Sequence, residues 1–261
     1  MKKILLTTAM IAIASLAIAQ ENVLTNKRGT PILPTAGSWA FGVDATPFLN
    51  YAGRLIGNTA ANSPEFRQEN YGFSGKYFLS DNTAARFGVT LGFSSDKTTT
   101  FVPKIGGGAD EQVENTARTS GSNIVFSAGL EKRIGQTRLQ GFYGAEANLR
   151  FSRNNNRKYT YGNALSATNP GIRPLSDKNG LTFGIGAGAF AGVEYFVAPG
   201  ISLGAQIGWG LGLTTTGRSS VETETWTGTA VETTTTDGTT KGSVFTVGHG
   251  AHTGITLMFH F

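Results

Sequence analysis

The sequence predicts an all-β fold, an eight-stranded antiparallel up-and-down transmembrane β-barrel, and three observations carry that prediction. Eight segments alternate with a two-residue period, at about 38–50, 70–80, 84–97, 118–134, 137–151, 180–197, 200–214 and 243–261. The connections between them alternate between tight turns and long loops. The last seven residues, Ile255 to Phe261, form an alternating strand that stops on an aromatic side chain.

Before the first strand, Lys2 and Lys3 precede an apolar run from Ile4 to Ile18 that closes on Ala17-Ile18-Ala19. That order is a charged region, an apolar core and a small-residue cleavage site, so residues 1–19 are expected to be a signal peptide cut before Gln20. A single-pass anchor is the alternative. The run is shorter than the roughly 20 residues a helix needs to span a bilayer, and no polybasic stop follows it.

The next segments carry the alternation with varying strictness, and the sixth shows it best. Leu181, Phe183, Ile185, Ala187, Ala189, Ala191, Val193, Tyr195 and Val197 fall on one face, against Thr182, Gly184, Gly186, Gly188, Phe190, Gly192, Glu194 and Phe196. The seventh places Ile201, Leu203, Ala205, Ile207, Trp209, Leu211 and Leu213 opposite Ser202, Gly204, Gln206, Gly208, Gly210 and Gly212. One face suits lipid and the other a crowded, narrow interior. Gly184, Gly188 and Gly192 also fit the G-x-x-x-G spacing of packed transmembrane helices, as do Gly204, Gly208 and Gly212. Against helices, Gly186 and Gly210 continue the two-residue period and Pro199-Gly200 cuts the run.

The tight turns are Ser80-Asp81-Asn82-Thr83, Ile134-Gly135-Gln136-Thr137 and Ala198-Pro199-Gly200. The long connections cover roughly 51–69, 98–117, 152–179 and 215–242. Short turns on one side and long loops on the other describe an up-and-down barrel with both termini on the side of the turns. The strand directions then band the aromatics. Trp39, Tyr77, Tyr195, Phe259 and Phe261 fall at the rim near the termini, and Tyr71, Phe93, Phe151, Phe183, Trp209 and Phe245 at the far rim. A soluble core predicts no such banding, whereas a bilayer selects two aromatic girdles.

Composition narrows the function classes. Of 261 residues 36 are glycine, without the three-residue period of collagen, and none is cysteine, which excludes a disulfide framework and a lipid-modified terminus. The formal charge of +5 is mild and scattered, so no nucleic-acid partner is expected. Gly106-Gly107-Gly108 leads into Asp110 and Glu111, which would repel a phosphate, so this glycine run is a loop tip rather than a nucleotide cradle.

The inward face gathers Asp44, Lys76, Arg86, Glu131, Arg133, Glu146, Arg150 and Glu194, with Gln140, Asn148 and Gln206 among them. Eight strands enclose a space that side chains can fill, so charges there must pair or carry water. One reading is a salt-bridge network that plugs the lumen. The other is a narrow polar path for ions or small solutes. Inward Phe48, Phe78, Phe142, Phe190 and Phe196 would fill the volume left by the glycines and favour the plug.

The histidines that catalysis would need, His249, His252 and His260, all lie in the final segment. His249 and His252 are three apart, point to opposite faces of a strand and cannot share a metal. A lipid hydrolase built on an outward His249 is a remote reading without a supporting motif, so no enzyme, cofactor or metal is expected.

On these residues the chain resembles the small eight-stranded outer-membrane proteins of the OmpA-domain and OmpX type, over 38–261 and as architecture rather than residue by residue. Lys27 to Pro34 followed by Trp39-Ala40-Phe41-Gly42 is also similar to the start of an uncharacterised outer-membrane β-barrel family, which brings no chemistry to transfer. The resemblance implies a bacterial outer-membrane location, with 20–37 a periplasmic segment, periplasmic termini and extracellular long loops. It makes Ile255, Leu257, Phe259 and Phe261 a signal to the barrel-assembly machinery, and no peptidoglycan-binding domain is expected after the last strand. The expected role is structural or surface-interacting, through the long loops. The Thr-rich stretch Val221 to Thr227 and Thr233 to Thr236, and residues 98–102 with 112–119, are expected to continue as strands beyond the membrane and to meet lipid or an extracellular ligand.

Overall fold

The computed structural model describes residues 24–25, 27–45, 71–249 and 254–261. The signal segment, Phe48, the connection at 51–69 and His252 lie outside the described residues.

Twelve antiparallel strands and no helix are found among the described residues. They are β1 (Trp39–Asp44), β2 (Tyr71–Ser80), β3 (Thr83–Pro103), β4 (Gln112–Ile134), β5 (Leu139–Thr160), β6 (Ile172–Lys178), β7 (Thr182–Ala198), β8 (Ile201–Thr216), β9 (Ser220–Trp226), β10 (Val231–Asp237), β11 (Gly242–His249) and β12 (Gly254–His260). Pairing runs β1 to β2 to β3 to β4 to β5, then to β7 and β8. Strand β8 pairs both β11 and β12, and β12 returns to β1. Trp39 and Phe261 exchange two backbone hydrogen bonds, N to O at 2.8 and 3.0 Å, at that return.

Polarity is inverted relative to a soluble sandwich. Along β7 the large apolar residues Phe183, Ile185, Val193 and Tyr195 are exposed, while Glu194 is 1% exposed and Phe196 fully buried. On β8, Ile207 is 72% exposed and Ser202 is fully buried. A chain in water would not leave such a belt uncovered, whereas a bilayer covers it.

The aromatics gather at both ends of the belt. Trp39 lies 4.8 Å from Tyr77 between ring centroids, and Phe41 stacks on Phe261 at 5.8 Å. Phe87 joins Trp39 and Phe41 and lies flat on Gly75, where an added Cβ would come within 2.0 Å of its ring. Glycine is thus needed on that outward face for the ring to settle. At the other end Phe151 meets Phe183 at 5.3 Å.

The tight turns fall where the sequence places them. Gly135 (φ 103°) and Gly200 (φ 75°) adopt the left-handed conformations that these turns require. The long connections are more ordered than expected. Strands β3, β4 and β5 run for 21, 23 and 22 residues, about twice the 9–11 that cross a bilayer. The connection at 152–179, expected as a loop, carries the end of β5 and all of β6. The last loop folds into the β9–β10 hairpin, which pairs with β6 rather than standing on β8 and β11.

A bulge at Asn155 (φ 56°) marks where β5 changes from wall to projecting sheet. The extra residue lets Arg153 and Asn156, opposite Ser122 and Ser120, share one face. Tyr161, just past β5, ties this sheet together. Its hydroxyl donates to the Pro174 carbonyl at 2.8 Å, and the Arg173 guanidinium lies 4.1 Å over its ring while pairing with Glu224 at 2.5 Å. Burial raises the Tyr161 phenol above its usual value, with Arg173 pulling the other way, so it stays a donor at neutral pH.

Candidate functional site: an ionic cluster across the lumen

Alternation aims the even-numbered residues of β2, β3, β7, β8 and β12, the even-numbered residues of β5 before the bulge, and the odd-numbered residues of β4 toward one inner face. Five of the charges expected there converge near the tight-turn end. Lys76 Nζ lies 3.0 Å from Glu131 and 2.9 Å from Glu194. Arg133 Nη1 reaches both carboxylates at 2.8 Å, and its Nε donates to Gln140 Oε1 at 2.8 Å. Arg86 lies 3.3 Å from Glu131 and donates from Nη2 to Gln206 at 2.9 Å.

Each carboxylate therefore touches at least two cations, which is what full burial demands. A lone buried charge would cost several kcal/mol, and a network offsets that only when each member is paired. Glu131, Glu194, Arg133 and Lys76 are 1%, 1%, 3% and 4% exposed. Aromatic rings close the remaining sides. Arg86 lies 4.1 Å over Phe190 and Lys76 4.8 Å over Phe142, while Arg133 lies between Phe78 and Phe196 at 5.4 and 5.6 Å.

Phe142 and Phe190 fill space that glycine leaves on the neighbouring strand. Phe142 is opposite Gly192 and Phe190 opposite Gly144, and a Cβ at either glycine would approach the facing ring within 2.5 or 2.6 Å. A cavity of about 20 Å³ beside Ser74, Lys76, Arg86 and Gln206 is the size of one water molecule. Further along the lumen a space of about 450 Å³ opens between Gly92, Phe93, residues 119–123, Arg150, Ser152 and Asn154.

The other expected lumen residues are placed by register and by the wide space. Arg150 lines the wide space rather than the cluster. Asp44 pairs in register with Thr256, and Glu146 shares a register row with Gly129 and Arg86, each with contacts of its own.

Two members of the cluster were not anticipated, Ser202 and His260. Ser202 Oγ donates to Glu194 and lies 2.8 Å from His260 Nε2, which is itself 3.2 Å from Glu194. The inward parity of both was readable from the last two wall segments, but neither their height nor their convergence was. The trio resembles a nucleophile with its base only superficially. Serine and carboxylate both meet Nε2, Nδ1 is buried without a hydrogen bond, and Ser202 is fully buried. A working base takes the nucleophile on one ring nitrogen and its orienting acid on the other. Among the described residues no group of three or more acidic, histidine or cysteine side chains is placed to hold a metal.

The outward residues of β12 lie in the belt. Ile255, Leu257 and Phe259 pair with Ala205, Leu203 and Ile201 on one side, and the latter two with Val43 and Phe41 on the other. The register also sets His249 opposite Trp209.

No curated protein matches the chain. Six solved chains do, among them the crystal structure of the outer membrane protein OprG from Pseudomonas aeruginosa. It is 12% identical, with 88% of this chain and 99% of that one covered and a TM-score of 0.36. Residues 59–209, more than half of the sequence, match the family described as "Putative OmpA-OmpF-like porin family". With an antiparallel sheet that returns on itself and an apolar belt turned outward, the chain belongs to this OmpA-OmpF-like porin family of outer-membrane β-barrels.

Proposed function

We propose that the chain is an eight-stranded up-and-down barrel whose lumen is closed near its periplasmic end, and that it serves as a structural or surface-interaction protein without catalysis. In this reading β1, β2, β3, β4, β5, β7 and β8 make seven wall strands, and β11 with β12 makes the eighth. The termini and tight turns face the periplasm. Strands β3 to β5 project outward and, with β6, β9 and β10, form an extracellular sheet. Outer-membrane lipid covers the belt, an extracellular ligand meets the sheet, and Ile255, Leu257, Phe259 and Phe261 address the barrel-assembly machinery during insertion.

The observation that carries the closed lumen is the cluster of Lys76, Glu131, Arg133 and Glu194, nearly dry and capped by Phe142 and Phe190 with room for one water beside it. A hydrated pore at the same height would leave those charges accessible. The 450 Å³ polar space farther out favours a second reading, a porin-like narrow channel or transporter for small solutes, for which the cluster would be the constriction. Reconstitution in planar bilayers separates the two. The wild-type chain is expected to give no steady current, and steady solute-dependent conductance would overturn the plug.

A further inference from the structure

We propose that the outward face of the projecting β3–β4–β5 sheet binds the phosphate groups of outer-leaflet glycolipid, through Lys97, Arg118, Arg153 and Lys158. This rests on the orientation proposed above, with the long strands outside the cell.

The register builds the surface. Lys97 pairs directly with Arg118, and Arg118 with Lys158, so three cations stand side by side across three strands on one face. Arg153 joins that face below them, because the Asn155 bulge resets the alternation of β5. Lys178 lies two positions from Ser176, the register partner of Lys158, and so extends the row on β6. All five are exposed, and none has a hydrogen bond or ion pair to another described residue.

Like charges directly opposite one another on a sheet are destabilising, and this sheet stacks two such pairs with no acid between them. The acids sharing the face stand at its margins. Glu222 accepts from Ser176 at 3.2 Å, two strands beyond Lys158, and Glu114 lies four residues along β4 from Arg118. An anion bridging the row would remove the repulsion.

Continuity with the lipid belt identifies that anion. On the same face the rows below read Leu91, Ile124 and Phe151, then Phe93, Ser122 and Arg153, with Phe93 and Phe151 exposed. Lys97 is four residues beyond Phe93. At about 3.3 Å per residue and a tilt near 40°, that sets the row roughly 10 Å above the aromatic edge. Headgroup phosphates stand at such a height, and clustered Lys and Arg beside a membrane surface recognise them.

The test uses the full chain refolded in detergent and titrated with a bis-phosphorylated glucosamine glycolipid, with the same lipid after phosphatase treatment, and with inorganic phosphate. The wild type is expected to bind the phosphorylated lipid at least tenfold more tightly than the dephosphorylated one, with a preference that weakens as salt rises. The K97Q/R118Q/K158Q variant should lose that preference while refolding as the wild type does, judged by the shift in gel mobility on heating in detergent, since none of the three side chains supports the fold. Equal binding by variant and wild type, or full displacement of the lipid by millimolar inorganic phosphate, would overturn the proposal. A Thr229→Cys variant, placed in the β9–β10 turn, is labelled on intact cells with an impermeant maleimide to separate the two readings. Labelling supports the outward orientation. Lipid binding without labelling would overturn the orientation and the outer-leaflet assignment together, while leaving the basic row as an anion site.

Discussion

The two ends of the lumen are built from the same strands and filled in opposite ways. Near the tight turns, β5 and β7 pair two glycines with phenylalanines across the ladder, Gly144 with Phe190 and Gly192 with Phe142, so the volume that glycine vacates is taken by a ring. Farther out the same strands pair Asn148 with Gly186 and Arg150 with Gly184, and the lumen widens to about 450 Å³. Glycine content alone therefore does not make a pore. The partner across the ladder decides whether the freed volume is packed or open.

The largest expected difference between the ends comes from removing a buried charge. Glu194→Ala would leave Lys76 and Arg133 with Glu131 alone in a nearly dry site, at a cost of about 3–5 kcal/mol. Arg150→Ala, on the exposed wall of the wide space, should stay within about 0.5 kcal/mol. Urea titrations in lipid vesicles read both, and similar losses from the two would erase the distinction between a packed end and an open one.

The rings come next. Phe142→Ala and Phe190→Ala each remove a buried side chain, at about 3 kcal/mol. Together they should also bring measurable bilayer conductance where none is expected of the wild type. A silent double variant would mean that the ionic cluster closes the lumen without the rings.

The complementary change adds volume. Gly144→Ala places a methyl group 2.0 Å from the Leu130 carbonyl oxygen and 2.6 Å from Phe190, and should cost about 1–3 kcal/mol. At Gly212 the nearest atom is the Ile185 carbonyl oxygen at 3.5 Å, an ordinary contact, so Gly212→Ala should leave the unfolding midpoint almost unchanged.

Much of this was legible in the sequence because strand alternation is a local signal. The alternation of the sixth segment separated exposed Ile185 and Tyr195 from buried Glu194 and Phe196, and the turns at Asn82, Gly135 and Gly200 fell where expected. Parity also placed Lys76, Arg86, Glu131, Arg133 and Glu194 inside. Parity does not give height, however, and height separates Arg150 from the cluster. Height follows from the stagger of the whole sheet, which no single strand encodes. The docking of β9 on β6 escaped for a related reason, since Ser176 and Glu222 meet across 46 positions and Pro174 breaks the local pattern.

Ser202 and His260 offer the sharpest test of the non-catalytic reading. Ser202 and Glu194 share the one ring nitrogen Nε2 of His260, and Nδ1 is buried without a hydrogen bond, so no acid orients the ring from its second nitrogen. The hydrogen bond from Ser202 to Glu194 then serves the carboxylate, supporting the charge that neutralises Lys76 and Arg133. Ser202→Ala should cost about 1.5–3 kcal/mol of stability, the range for a hydrogen bond to a charged group. A fluorophosphonate probe should leave the wild-type chain unlabelled in vesicles, because a fully buried hydroxyl without a base cannot attack it. Labelling that disappears in Ser202→Ala would turn the dry end of the lumen into a reactive one.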